Sequence, residues 1–254
     1  MTSPSLRPAL ALLISGLVLA GCAAAPDPIK AEPSPKSAIY SPDRPWPADF
    51  AGLRQQAQAK PEQLLAIDAA ASSVRIHVFR GGRAARLGHN HVLSVPGLQG
   101  LVLAPLQPED DVQGTAFELA FRLDELVLDE AAARAALGPG WASALSAEAI
   151  AATRQNMLGA AGLQAEMHPW VRLRSLAIRG AAPKLAVLLE IELHGQRRQQ
   201  WLAMHTELQT KSLQARGALV LRQSDFGLQP FSIAGGLLAV QDELLIEFEL
   251  IAKR

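Results

Sequence analysis

One cysteine, Cys22, stands in the 254 residues, so no disulfide forms within the chain and the fold rests on its core alone. Aromatic residues are scarce, 5% of the chain with a single tyrosine, Tyr40. That scarcity argues against an outer-membrane β-barrel, whose two interfaces carry aromatic girdles. Excess charge of one sign is missing too: 24 basic residues meet 24 acidic ones. Without a basic stripe the electrostatic footprint of a nucleic-acid binder is absent. There is no Gly-x-Ser-x-Gly elbow and no pair of carboxylates beside the histidines, so no catalytic residue and no enzyme activity is expected. Cys-x-x-Cys and His-x-x-x-His spacings are lacking as well, and no cofactor is expected.

What is present begins with Arg7, the one charge before the apolar run Leu10 to Leu19. The run is too short to span a bilayer permanently and reads as a secretory signal. Leu19-Ala20-Gly21-Cys22 follows it and resembles the bacterial lipobox, whose cysteine thiol receives diacylglycerol. The expectation is a signal over 1–21, lipidation at Cys22, and a periplasmic protein held by its lipid anchor. Ala23 after the cysteine points to the outer membrane. From 22 to 61 the chain is punctuated by Pro26, Pro28, Pro33, Pro35, Pro42, Pro45 and Pro47, which favours an extended tether, with room for a short helix within Ala51 to Lys60. Residues 62–254 then suffice for one domain with a proper core.

That domain alternates. Phe117, Leu119, Phe121 and Leu123 oppose Glu118, Ala120, Arg122 and Asp124, the period-two pattern of a half-buried strand. Val187, Leu189, Ile191 and Leu193 repeat it, as do Leu244, Ile246, Phe248 and Leu250, with Val74, Ile76, Val78 and a weaker run over Leu202 to Leu208. Gly81-Gly82, Pro96-Gly97, Pro183, His194-Gly195 and Gly235-Gly236 separate the runs, and such short connections imply antiparallel neighbours. The exception is Asp129 to Leu163, rich in alanine, where Ser146 to Leu158 reads as a helix capped by Ser146. The expected fold is mainly β, an antiparallel closed barrel of about eight strands with one α-helical insertion. A barrel of that size either fills its lumen with side chains or holds one small ligand.

Leu221-Arg222-Gln223-Ser224-Asp225-Phe226-Gly227-Leu228, followed by Val240-Gln241-Asp242-Glu243-Leu244, is similar to the closing segments of the YceI-like family. His168-Pro169-Trp170-Val171-Arg172-Leu173-Arg174-Ser175 and Leu193-His194-Gly195 resemble further family passages in the expected order. The resemblance runs from about Leu65 to Ala252. It implies a lipocalin-like barrel exported to the periplasm, binding an isoprenoid-type lipid or isoprenoid quinone. On that implication Phe117, Leu119, Phe121, Leu189, Ile191, Ile246 and Phe248 line the lumen. The chain departs from the family at Gly88-His89-Asn90-His91-Val92.

On a strand His89 and His91 would share one face, a start for zinc or copper that lacks a third ligand. The preferred reading joins Arg80, Arg83 and Arg86 to the two histidines as a polar rim for the lipid head group, since guanidinium forks suit phosphate oxygens. Two alternatives remain: a periplasmic metal-binding protein using His89 and His91, and a filled barrel that serves as a partner-binding module. The protein partner is not readable from the sequence. Trp170 is expected to be a core or capping aromatic, and Asp225 to hydrogen-bond the turn before Gly227.

Overall fold

The computed structural model describes residues 50–107 and 112–254. The expected signal, Cys22 and all but the end of the expected tether lie outside the described residues.

Among the described residues there are twelve strands: β1 Leu64–Ile67, β2 Ser73–Gly81, β3 His91–Ser94, β4 Gln99–Leu103, β5 Ala116–Arg122, β6 Val127–Leu128, β7 Trp170–Ala181, β8 Lys184–Leu193, β9 Gln196–Gln209, β10 Ser212–Arg222, β11 Ser232–Ile233 and β12 Leu238–Lys253. The same residues hold three α-helices, α1 Ala51–Ala57, α2 Ala131–Ala136 and α3 Ala147–Leu158. The pairs β1/β2, β3/β4 and β5/β6 each behave as one long strand with a break. β1 and β2 lie in sequence along β12, β4 and β3 along β1 and β2, and β5 and β6 along β4 and β3. Counted so, with β7, β8, β9, β10 and β12, the sheet is an eight-stranded antiparallel meander, closed where Ala66 and Ile67 pair with Lys253 and Ala252. Closure leaves the sheet no long free edge, and the fold expected from the alternation is the one observed.

Period two decides what goes inside. Val187, Leu189 and Ile191 of β8 are almost inaccessible, and one core cluster gathers Leu119, Phe121, Leu123, Leu202, Leu219 and Phe226 with Val74, Ile76, Val78, Phe117, Ile246 and Phe248. Gly217 serves this packing, since a Cβ there would lie 2.8 Å from the Phe248 ring. Outside, Glu190 and Glu192 are buried although they occupy the polar face. Glu192 stands directly opposite an arginine on each neighbouring strand, and Glu190 opposite Arg174 on β7 and Gln199 on β9: Arg172 and Arg197 reach Glu192 at 2.9 and 2.8 Å, and Arg174 reaches Glu190 at 2.6 Å. Such cross-strand pairs reinforce the register of β7, β8 and β9.

The barrel has two unlike ends. At one lie the β7–β8 turn at Ala182-Pro183, the β9–β10 turn near Lys211, and Ala104, Pro105, Val112 and Thr115 from beside β4 and β5. At the other lie the loop between β2 and β3, the His194-Gly195 turn and the insertion between β6 and β7. That second end is capped: Ile150, Met157 and Leu158 of α3, with Leu163 and Ala165 after it, pack against the lumen core. α3 starts as expected, the Ser146 hydroxyl accepting the Ala149 N–H at 3.2 Å, one of the donors that a helix start leaves open.

α1 occupies the stretch Ala51 to Lys60 in which a short helix had room to form, and it packs on the barrel. Phe50, Leu53 and Ala57 are buried in a second cluster with Leu101, Leu103 and Ala120 against the outer wall of β4 and β5. Packing therefore begins by Phe50 and not at 62, because α1 turns its few apolar residues onto a wall that sequence alternation had assigned to solvent. Trp170 closes this cluster with the guanidiniums of Arg122 and Arg172 over its ring at 5.4 and 5.8 Å.

Candidate functional site

An apolar cavity of about 90 Å³ opens at the uncapped end. Strands from around the whole barrel contribute to it: Ile67, Val102, Phe117, Leu119, Ile178, Leu185, Met204, Leu213, Ala215 and Leu250 are among its walls, with Thr115 and Thr206 as the hydroxyl-bearing ones. Of the seven residues expected to line a lumen, Phe117 and Leu119 border this space. Phe121, Leu189, Ile191, Ile246 and Phe248 belong to the packed interior. The middle of the barrel is thus filled by its own side chains, and open volume survives where strand ends diverge and small residues such as Ala104, Ala182, Ala215 and Ala252 leave room. Sites that enclose drug-sized ligands usually measure roughly 300–1,000 Å³, and this cavity is several times smaller.

The expected head-group rim lies elsewhere. Arg80, Arg83, Arg86, His89 and His91 sit at the capped end, on the last residue-pair of β2, the loop after it and the start of β3, with the length of the filled lumen between them and the cavity. His89 and His91 do not share a strand face either, because β3 begins at His91. Arg83 and Arg86 are exposed and make no side-chain hydrogen bond or ion pair among the described residues.

The histidine stretch instead fastens the insertion to the barrel. His91 Nδ1 donates to Asp129 Oδ2 at 2.6 Å. Asp129 Oδ1 accepts from the Val92 N–H at 3.1 Å and from Arg134 Nη1 at 2.6 Å. Arg134 continues to the Asn90 carbonyl at 2.7 Å and to the Ser143 hydroxyl at 3.1 Å, and that hydroxyl meets His89 Nδ1 at 3.0 Å. Asn90 accepts the Arg80 N–H at 3.0 Å, and Arg80 Nη1 donates to the Gly88 carbonyl at 2.9 Å. Asp129 and Arg134 are both buried. Burial pushes the Asp129 carboxyl up, but the bonds from His91, Val92 and Arg134 outweigh it and hold the group below the ordinary carboxylate value. Asp129 also adopts φ 56°, a left-handed conformation that aspartate tolerates better than most residues.

His77, considered as a further ligand, is spent on Glu247 at 2.8 Å and packs edge-on against Trp141 of the insertion, and His205 pairs with Glu207 at 3.1 Å. Among the described residues no group of three or more His, Cys, Asp or Glu side chains is placed to hold a metal ion. The turn before Gly227 is bonded by Asp242, which accepts from the Ser224 N–H at 2.8 Å, rather than by Asp225. Sequence reading missed Asp129, Arg134 and Ser143, which lie 37 to 54 positions from the histidine stretch they hold, and no spacing rule links such distant groups.

No protein-family model and no curated protein matches the chain. Solved structures do. BcnA from Burkholderia cenocepacia aligns over 73% of this chain and 98% of its own with a TM-score of 0.52 at 15% identity, a likeness that concerns the fold. A YceI protein from Campylobacter jejuni aligns over 62% of this chain and 82% of its own, with a TM-score of 0.41 and 8% identity.

Proposed function

We propose that the domain is a non-catalytic carrier that takes the apolar end of an amphipathic, isoprenoid-type lipid or quinone into the cavity at the uncapped end. The observation that carries this reading is that cavity: an apolar space inside a closed barrel, bordered by Phe117, Ile178, Met204, Leu213 and Leu250. A longer chain enters by displacing side chains deeper in the lumen. Met204, unbranched and adaptable, yields most easily. The head group then stays outside this end, where Lys184 opens β8 and Lys211 stands on the β9–β10 turn, two residues from the lining Ala182 and Leu213. This assignment replaces the arginine and histidine rim, which is at the wrong end to contact such a ligand.

The test is to purify the protein from its native envelope, extract it with organic solvent and identify what is released by mass spectrometry. About one lipid per chain is expected from the wild type, and at least tenfold less from Ala215→Phe, whose ring occupies the cavity. Wild-type protein that releases no stoichiometric lipid would sink the reading. The second reading, a filled barrel acting as a partner-binding module, would then be preferred, and the packed middle of the lumen favours it already.

We also hold to the lipid anchor at Cys22 and to a periplasmic site facing the outer membrane, on the strength of the lipobox-like segment. Two or three acyl chains hold a protein firmly, each buried methylene contributing about 0.8 kcal/mol. Cys22→Ser is expected to move most of the protein into the soluble periplasmic fraction after osmotic shock. Membrane association unchanged by that substitution would rule the anchor out.

A further inference from the structure

At the capped end the loop after β2 and the hairpin between β11 and β12 are fastened together. The Arg83 N–H donates to the Gly236 carbonyl at 3.2 Å and the Ala84 N–H to the Leu237 carbonyl at 2.9 Å. Gly82, at φ 87°, permits this approach, since a Cβ there would meet the Leu237 and Gly236 carbonyl oxygens at 2.6 and 2.8 Å. Arg80 braces the loop from below through the Gly88 carbonyl. What the paired loops display is unusual for a surface. Leu87 is 68% exposed, Phe231 47%, Ile233 46% and Leu237 41%, four large apolar side chains on two segments that touch. The charges on these segments are of one sign: residues 82–88 carry Arg83 and Arg86, and residues 229–240 carry none. Both guanidiniums are free of side-chain partners among the described residues.

We propose that this tip docks on an anionic phospholipid surface, its leucine, isoleucine and phenylalanine side chains entering the headgroup–acyl boundary while Arg83 and Arg86 meet lipid phosphates. Apolar side chains flanked by cations are the composition that binds such an interface, and each cation near an anionic surface contributes about a factor of five in binding. A stable protein interface needs roughly 1,200 Å² or more of buried surface with complementary polar groups. Two cations with no acidic residue on either segment offer no complementary polar set to a protein surface, whereas a fluid anionic interface demands none. Docking this way turns the uncapped end, and its cavity, away from the bilayer. The inference does not depend on a ligand in the cavity.

The full chain, mixed with vesicles of phosphatidylcholine alone or of phosphatidylcholine with phosphatidylglycerol, tests this by amide hydrogen exchange, which separates the tip from any effect of the N-terminal segment. The expected result is slowed exchange across 82–88 and 231–238 with the anionic vesicles and much less with the neutral ones. Arg83→Gln with Arg86→Gln is expected to weaken the effect roughly thirtyfold in lipid concentration, about fivefold for each cation, and Leu87→Ser with Phe231→Ser to abolish it. All four positions are exposed, so these variants keep the core intact. Unchanged exchange in both segments would overturn the proposal. So would protection confined to the barrel wall around Trp201 and Val220, or protection of the tip that appears without lipid as protein concentration rises, which would mark a contact between copies.

Discussion

Asp129→Ala is expected to lower the unfolding free energy by roughly 3–5 kcal/mol, the cost of leaving a buried partner charge uncompensated. For a domain of this size that corresponds to a melting temperature lower by on the order of 10 °C, at about 2–4 °C per kcal/mol. The reason is the arrangement around one carboxylate: it receives His91, the Val92 N–H and Arg134, and Arg134 is itself buried. Glu247→Ala removes a histidine partner too, but the Glu247 side chain is 56% exposed and only the buried His77 ring loses a bond, so a smaller loss of about 1–3 kcal/mol is expected. Urea denaturation of both variants checks the contrast. If Asp129→Ala stays within about 1 kcal/mol of the wild type, the histidine stretch is not a structural fastening and becomes available for a ligand again. Acid supplies an independent check of sign. Because the folded Asp129 carboxyl is held below its unfolded value, its contribution is complete above about pH 4 and disappears as pH falls through the depressed folded value. The stability gap between wild type and Asp129→Asn should accordingly narrow below pH ~4.

Phe226→Ala is expected to cost roughly 3–5 kcal/mol, since that ring is 1% exposed in the core cluster at the capped end. Phe117→Ala should cost about 1 kcal/mol less or better, because the Phe117 ring is half-buried and already borders the cavity, so truncation removes fewer contacts and enlarges a void that exists. Equal losses in ligand-free protein would mean that both ends of the lumen are packed alike. That result would remove the space on which the lipid reading depends.

Much of the barrel was legible without coordinates. The alternation in Phe117 to Leu123, Val187 to Leu193 and Leu244 to Leu250 places every second side chain in the lumen, because a strand's side chains point to opposite faces in turn. The turn residues Pro183 and His194-Gly195 keep neighbours close and antiparallel, and Ser146 announces the start of α3 through its hydroxyl. The Gly88-His89-Asn90-His91 stretch was legible as unusual but not as to its purpose. Reading it as a rim assumed that polar loops surround the opening, whereas the opening is at the other end.

Period and capping act through neighbours a few residues apart, so the sequence by itself determined five of the strands, their inward faces, the helix in the insertion and the antiparallel pairing of neighbours. Which end stays open, which loops share a surface and which carboxylate receives His91 depend on pairings such as Ala66 with Lys253 and on the fold-back of 129–169 over one end. Those contacts join residues far apart in the chain, exist only after the barrel has closed, and were decided by the tertiary structure, because no local periodicity encodes them.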